Sequence, residues 1–189
     1  MCIRDRALHK IKNFKEQDMV GSTTHLSIID EEKNVASVTT TNGVGAGFTV
    51  PGTGIMPNNM LGEKHLNING FHNWKSPQRI PSNICPTLII DKSNNLTTLG
   101  SAGSSRIISA TLSVISNLLN NKMSLKESVS KSRIHLEGDT LHCEPTDCPP
   151  KYKTENVVLW GKKNMYFGGV NACSSFESVG DERRGGVSV

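Results

Sequence analysis

Three consecutive hydroxyl residues, Ser22, Thr23 and Thr24, close a polar N-terminal segment and open a β-branched run. A threonine hydroxyl is a weak nucleophile unless a base sits beside it. One solution is the residue's own α-amine, released when the preceding peptide bond is cut. With an unperturbed pKa of about 7.7–8.0, that amine suits general-base work near neutrality. The same threonines also read as ordinary strand positions. A second candidate is Gly100-Ser101-Ala102-Gly103-Ser104-Ser105-Arg106, where glycines run into a helical pattern. Backbone N–H groups at a helix start are unpaired and carry the positive end of the helix dipole. An anion site, an oxyanion hole, or a plain helix cap by Ser104 or Ser105 all fit that junction. The Gly-Lys-Ser/Thr ending of a P-loop is missing, which excludes that phosphate cradle. The third feature is the glycine-rich turn Asn42-Gly43-Val44-Gly45-Ala46-Gly47.

The elements that must position these residues follow from periodicity and turn chemistry. Residues 23–41 read as a β-hairpin: a largely alternating Thr23–Ile29, a turn at Asp30–Asn34, and a return strand Val35–Thr41. A second hairpin pairs Thr87–Asp91 with Leu96–Leu99 across a turn at Lys92–Asn95. Ile107, Ile108, Leu112, Ile115, Leu118 and Leu119 mark an apolar helical face that ends at Asn120-Asn121. A shorter helix covers about Ser124–Lys131, where Ser124 and Glu127 fit a capping box. Short strands are expected over Ile134–Cys143, Val157–Trp160, Met165–Phe167 and Gly169–Ala172. Residues 63–85 form a long polar connection of the kind that is either mobile or functional. The order strands, helices, strands predicts an α+β fold with a mainly antiparallel sheet.

Bulk properties narrow the function classes. The chain has 189 residues, a length that suggests one domain. Apolar residues make up 35% and aromatics 5%, lean for a self-sufficient domain and suggestive of a core completed against a partner. The net charge is +4 with scattered basic residues and no aromatic-interleaved basic stripe, which argues against nucleic acid binding. Glu182-Arg183-Arg184-Gly185-Gly186 reads as a solvated tail. The odd count of five cysteines argues against a closed disulfide framework. Cys143 and Cys148 are close enough to pair or help bind zinc, but no second ligand pair follows, and no metal site is expected. No apolar stretch approaches the ~20 residues needed to span a bilayer.

Taken jointly, Thr23-Thr24-His25-Leu26-Ser27-Ile28, Asn34-Val35-Ala36-Ser37-Val38-Thr39, Pro51-Gly52-Thr53-Gly54-Ile55-Met56 with Asn58-Asn59, Cys85-Pro86-Thr87-Leu88-Ile89 and Gly100–Ile107 resemble the small subunit of γ-glutamyltransferases. The blocks occur in that family's order and spacing across about residues 21–185. The resemblance implies an N-terminal nucleophile hydrolase with an αββα sandwich, of which this chain supplies only part. It implies self-cleavage between Ser22 and Thr23, followed by γ-glutamyl transfer to Thr23 and on to water or an acceptor amino acid or peptide. Residues 1–22 are then expected to be the tail of a missing large-subunit segment or a non-native leader, and residues 23–189 the catalytic small subunit. Glutathione and other γ-glutamyl amides are the implied substrates, no cofactor is implied, and periplasmic or extracellular placement is.

The resemblance also assigns roles. Either Thr40 or Thr41 supports the nucleophile, because the sequence is one residue shorter just before the substrate-binding Asn42. Glu63 holds the substrate's α-ammonium, Ser82 and Asn83 help bind its α-carboxylate, and Gly103 and Ser104 form the oxyanion hole. Two departures stand out: Ser104 replaces a common Gly, and Met60 replaces the Glu or Gln that touches the α-ammonium in many relatives. A thioether cannot make that charge-assisted contact. This leaves substrate preference open to a cephalosporin-type acylase or a poly-γ-glutamate depolymerase, and the fragment alone is expected to be inactive.

Overall fold

The computed structural model describes residues 23–146 and 156–189. Residues 1–22, Ser22 among them, and Cys148 lie outside the described residues. The chain divides into two compact units, one holding Thr23 and Thr40–Ser82 and the other Thr24–Thr39 with Asn83–Val189.

In the larger unit, β1 (Thr24–Ile29) and β2 (Val35–Thr40) form a hairpin. A four-stranded antiparallel sheet runs β3-β4-β8-β9, from β3 (Thr87–Ile90), β4 (Leu96–Ala102), β8 (Gly169–Ser174) and β9 (Ser178–Val179). Both hairpin turns use one device. Asp30 accepts from the Asn34 backbone (2.7 Å) and amide (2.8 Å), and Asp91 does the same for Asn95 (2.9 Å and 2.9 Å). Each aspartate thereby replaces missing backbone partners, and Lys33 and Asn94 take the left-handed conformation beside it. Two helices, α1 (Arg106–Leu119) and α2 (Leu125–Ser130), cover one face of the four-stranded sheet. Leu99, Val170 and Ala172 from the sheet meet Ala110 and Val114 of α1 and Leu125 and Val129 of α2 in one buried cluster. Burying a Leu or Val fully contributes about 1.5–3 kcal/mol, so this seam is the main hydrophobic contribution of the unit. Side chains alternate across a strand. Gly100 and its register partner Asn171 therefore face away from the helices, and there they meet the β1–β2 hairpin. A third sheet joins β5 (Ile134–Glu137), β6 (Thr140–Cys143) and β7 (Asn156–Leu159), with β5–β6 antiparallel and β6–β7 parallel.

The architecture is α+β. Several boundaries differ from expectation. The Gly100–Ala102 run is not a turn but the end of β4, because it pairs residue for residue with Gly169–Asn171. Met165–Phe167 is a 3-10 turn capped by the Asn164 side chain rather than a strand. Ile134–Cys143 is broken into two strands at Gly138, which takes a positive φ. The apolar face expected of α1 is split: Ala110, Thr111, Val114 and Asn117 point into the core, while Ile108 and Leu112 are 55% and 63% exposed. Ser124 and Glu127 do form the capping box of α2. Among the described residues no helix is long and apolar enough to cross a membrane.

Candidate active site

The smaller unit gathers six of the residues in question around one glycine. Thr23 immediately precedes β1 and is half-buried. Its hydroxyl oxygen lies 2.9 Å from that of Thr41. Thr41 in turn accepts from the Gly43 N–H at 2.9 Å. Gly43 has φ +67, and a Cβ there would fall 2.8 Å from Asn59 Oδ1, 3.1 Å from Glu63 Oε1 and 3.3 Å from the Met60 sulfur. A glycine is needed for both the backbone conformation and the space. The Asn42 carbonyl accepts from the N–H groups of Gly45 and Asn59, and its amide donates to the Met56 carbonyl at 3.3 Å. The Asn59 side chain accepts from Val44 N–H at 3.1 Å, closing the loop on itself. Glu63 has a side chain only 11% exposed, and His65 Nδ1 stands 3.5 Å from it. Thr40, by contrast, is exposed at the end of β2 and is absent from this cluster. Ser82 is exposed and Asn83 half-buried.

The junction after β4 lies in the larger unit. Gly103 has φ +138, and Ser104 follows at φ +57, where only a minority of non-glycine residues sit. Arg106 N–H donates to the Gly103 carbonyl at 3.0 Å and Ile107 N–H to that of Ser104 at 3.3 Å. Ser105 occupies the N-cap position without a capping side-chain hydrogen bond, so a plain Ser105 cap is not what this turn provides. A Cβ at Gly103 would lie 2.7 Å from the Gly168 Cα, and one at Gly168 would lie 2.9 Å from the Ala102 carbonyl. The two glycines are packed back to back.

Three groups near this frame escaped the sequence reading. The first is His25, which is 4% exposed, with Nδ1 2.7 Å from Thr39 Oγ1 and Nε2 2.9 Å from Ser27 Oγ. Burial lowers its pKa to about 4. The second is a clamp on the start of α1. The Arg106 guanidinium lies 4.2 Å above the Tyr166 ring and 3.4 Å from Glu137, which also accepts from the Tyr166 hydroxyl at 2.7 Å. Burial, then the Glu137 hydrogen bond, pushes the Tyr166 pKa up to about 12. The Tyr166 hydrogen bond holds the Glu137 pKa below its ordinary value.

The third is a buried charge network of Arg133, Glu144, Asp181 and Arg183. Arg183 binds Glu144 at 2.6 Å and Asp181 at 3.2 Å, and Arg133 binds Asp181 at 2.6 Å. Arg183 is thus not part of a solvated tail; its side chain is 0% exposed. Cys143 is a buried free thiol, and among the described residues no cluster of His, Cys, Asp and Glu could hold a metal.

The family model for gamma-glutamyltranspeptidase matches residues 3–184, and the chain belongs to that family. It is similar to the Acylase ACY 1 proenzyme of Pseudomonas sp. (strain SE83), with 30% identity over 158 residues, covering 80% of this chain and 28% of that protein. It is also similar to the Glutathione hydrolase proenzyme of Pseudomonas sp. (strain A14), with 33% identity over 158 residues, covering 76% of this chain and 27% of that protein. Among solved structures, a mutant Helicobacter pylori gamma-glutamyltranspeptidase superposes with a TM-score of 0.68 at 28% identity, covering 85% of this chain and 99% of that one. The chain therefore spans less than a third of the length of these curated relatives.

Proposed function

We propose that this chain is the small-subunit part of a self-cleaving enzyme that transfers γ-glutamyl groups from amides such as glutathione to water or to an acceptor amine. The observation that carries the reading is the hydroxyl pair Thr23–Thr41 at the head of β1, held by the Gly43 N–H. After the Ser22–Thr23 bond is cut, the freed α-amine of Thr23 takes the hydroxyl proton as Oγ1 attacks the γ-carbonyl carbon. Thr41, already accepting from Gly43, donates to Thr23 Oγ1 and orients it. Negative charge on the carbonyl oxygen is met by backbone donors of the Gly103–Ser104 turn. The C–N bond breaks, the amine leaves with the proton, and water or an acceptor amine then attacks the ester on Thr23. Glu63 holds the substrate's α-ammonium, with Asn42, Thr40, Ser82 and Asn83 completing the substrate contacts.

The fold is that of an N-terminal nucleophile hydrolase, and a large subunit of the same precursor supplies the rest of an αββα sandwich. Leu26, Ile28 and Val38 support this, since they leave the outer face of the β1–β2 hairpin bare and apolar. Mass analysis of the small chain purified from the full-length parent protein tests the proposal. Its N-terminus is expected at Thr23, and Thr23→Ala is expected to block both processing and turnover. A mature N-terminus elsewhere would refute the mechanism.

A second reading, acylase action on cephalosporin-type amides or depolymerisation of poly-γ-glutamate, is favoured by one observation. The Met60 thioether stands at Gly43 together with Glu63 and the Asn59 amide oxygen, so position 60 supplies no charge-assisted partner for an α-ammonium. A panel of γ-glutamyl and non-glutamyl amides separates the two.

A further inference from the structure

We infer that His25 and Gly100 form a positioning pair that fixes the strand leading from Thr23 against the face of β4. The inference rests on the reading of Thr23 as nucleophile. The ring of His25 lies flat on Gly100: a Cβ there would be 2.3 Å from Cε1, 2.4 Å from Nδ1 and 2.7 Å from Nε2. Gly100 is not among the glycines with positive φ, so the backbone conformation does not demand glycine at this place. What demands it is the ring. Gly100 stands three residues before the Gly103–Ser104 turn on the same strand, and His25 two residues after Thr23.

The ring cannot slide, because its hydrogen bonds form a directed chain. Ser27 Oγ donates to the Asn171 carbonyl at 3.3 Å, which commits its proton. His25 Nε2 must then carry the imidazole hydrogen and donate to Ser27 Oγ at 2.9 Å, leaving Nδ1 to accept from the Thr39 hydroxyl at 2.7 Å. Both hairpin strands thus hold the ring. Asn171, the register partner of Gly100, completes the lock by donating from its amide to the His25 carbonyl at 2.9 Å. His25 touches no reacting atom in this scheme; it acts through strand placement.

The test uses the full-length parent protein, with the wild type and Thr23→Ala run alongside. Gly100→Ala requires the ring to move by about 1.1 Å to regain the ordinary contact distance of 3.4 Å. A misplacement of about 1 Å costs up to about 10²-fold in rate. The expected result is a kcat per processed chain lowered about 10- to 100-fold, with KM within about threefold of wild type. Gly100→Ala combined with His25→Ala, which frees the space, is expected to return kcat to within about threefold of His25→Ala alone.

A contact that only stabilises the fold would lower the melting temperature and yield and leave kcat per processed chain unchanged. Wild-type kcat in processed Gly100→Ala overturns the inference. So does a double variant whose kcat stays more than about threefold below that of His25→Ala alone. If Gly100→Ala does not fold, the double variant decides: recovery of folding and turnover supports the pair, and failure overturns it. Wild-type parent that is not cut at Thr23, or Thr23→Ala that still turns over, refutes the nucleophile assignment instead.

Discussion

Replacing Thr41 by valine removes one hydroxyl while keeping the branched shape. The hydroxyl lies 2.9 Å from Thr23 Oγ1 and accepts from the Gly43 N–H at 2.9 Å. A neutral hydrogen bond contributes about 0.5–1.5 kcal/mol net. If the Thr41–Thr23 bond orients the nucleophile, its loss acts on kcat, and that energy corresponds to a fall of roughly two- to tenfold. The Gly43 N–H also loses an acceptor, which loosens the turn that brings Asn59 and Glu63 together and adds to the loss. Thr41→Ser keeps the oxygen and is expected within about twofold of wild type on the same reasoning. Thr40→Val is the comparison for kcat: Thr40 is exposed at the end of β2, and as a proposed substrate contact its loss is expected on KM rather than on kcat. The assay is release of a chromogenic amine from a γ-glutamyl anilide by the full-length parent, with the fraction processed counted by mass. Wild-type kcat in Thr41→Val, or an equal fall in Thr40→Val, would show that Thr41 does not orient Thr23.

Glu63→Gln is expected to lower kcat/KM for γ-glutamyl substrates by about ten- to hundredfold, since a charge-assisted hydrogen bond contributes about 1.5–3 kcal/mol. An analogue lacking the α-amino group should lose little further on that variant, and a full additional loss would dissociate Glu63 from that group. Arg183→Met is expected to cost about 3–5 kcal/mol in urea unfolding, because Glu144 and Asp181 would be left buried with one partner fewer. A change under about 1 kcal/mol would mean that the network relaxes or admits water. His25 gives a pH signature. Its folded pKa of about 4 lies below the ordinary 6.5, so the unfolded chain binds more protons between those values. Its contribution to stability is complete above about pH 6.5 and is lost as pH falls towards about 4; unfolding midpoints of His25→Gln should lack that component.

The parts of this fold that were legible in the sequence are those fixed by neighbours along the chain. The two hairpins follow from alternation between Asp-x-x-x-Asn turns, and α2 from its Ser124–Glu127 box. The Thr23–Thr41–Gly43–Glu63 group also spans a short stretch, but sequence alone left Thr40 and Thr41 equivalent. Their strand positions differ: Thr40 is the last residue of β2, exposed, and Thr41 opens the glycine turn with its hydroxyl on Thr23. The exposed Ile108 and Leu112 misled for the opposite reason. Periodicity reports an apolar face without saying what covers it, and here Thr111 and Asn117 take core positions instead. Arg183 was misread because charge at a chain end usually means solvent, whereas its partner Glu144 is 39 residues away. Gly103 at φ +138 cannot become proline without rebuilding the turn, so that substitution would not isolate a lost N–H.

The long-range charges explain how the Gly103–Ser104 turn holds a conformation that its own residues disfavour. Ser104 at φ +57 carries the steric penalty of a left-handed residue with a Cβ, about 1–2 kcal/mol. The Ser105 side chain makes no capping bond that would offset it. The support comes from behind. Gly168 fills the space against Gly103, and its own carbonyl, with that of Phe167, accepts from Arg133 Nη1 at 3.2 and 3.4 Å. Arg133 is anchored through Asp181, which also accepts from the Val170 N–H at 2.9 Å, and Asp181 is tied to Glu144 through Arg183. Arg133 Nη1 and Nη2 are hydrogen-bonded while its buried Nε has no partner, so the remaining bonds of the guanidinium are costly to lose and hold the Phe167–Gly168 carbonyls in place. Asp181 and Arg183 therefore reach the turn after β4 through a chain of directional bonds that runs by way of Arg133 and Gly168.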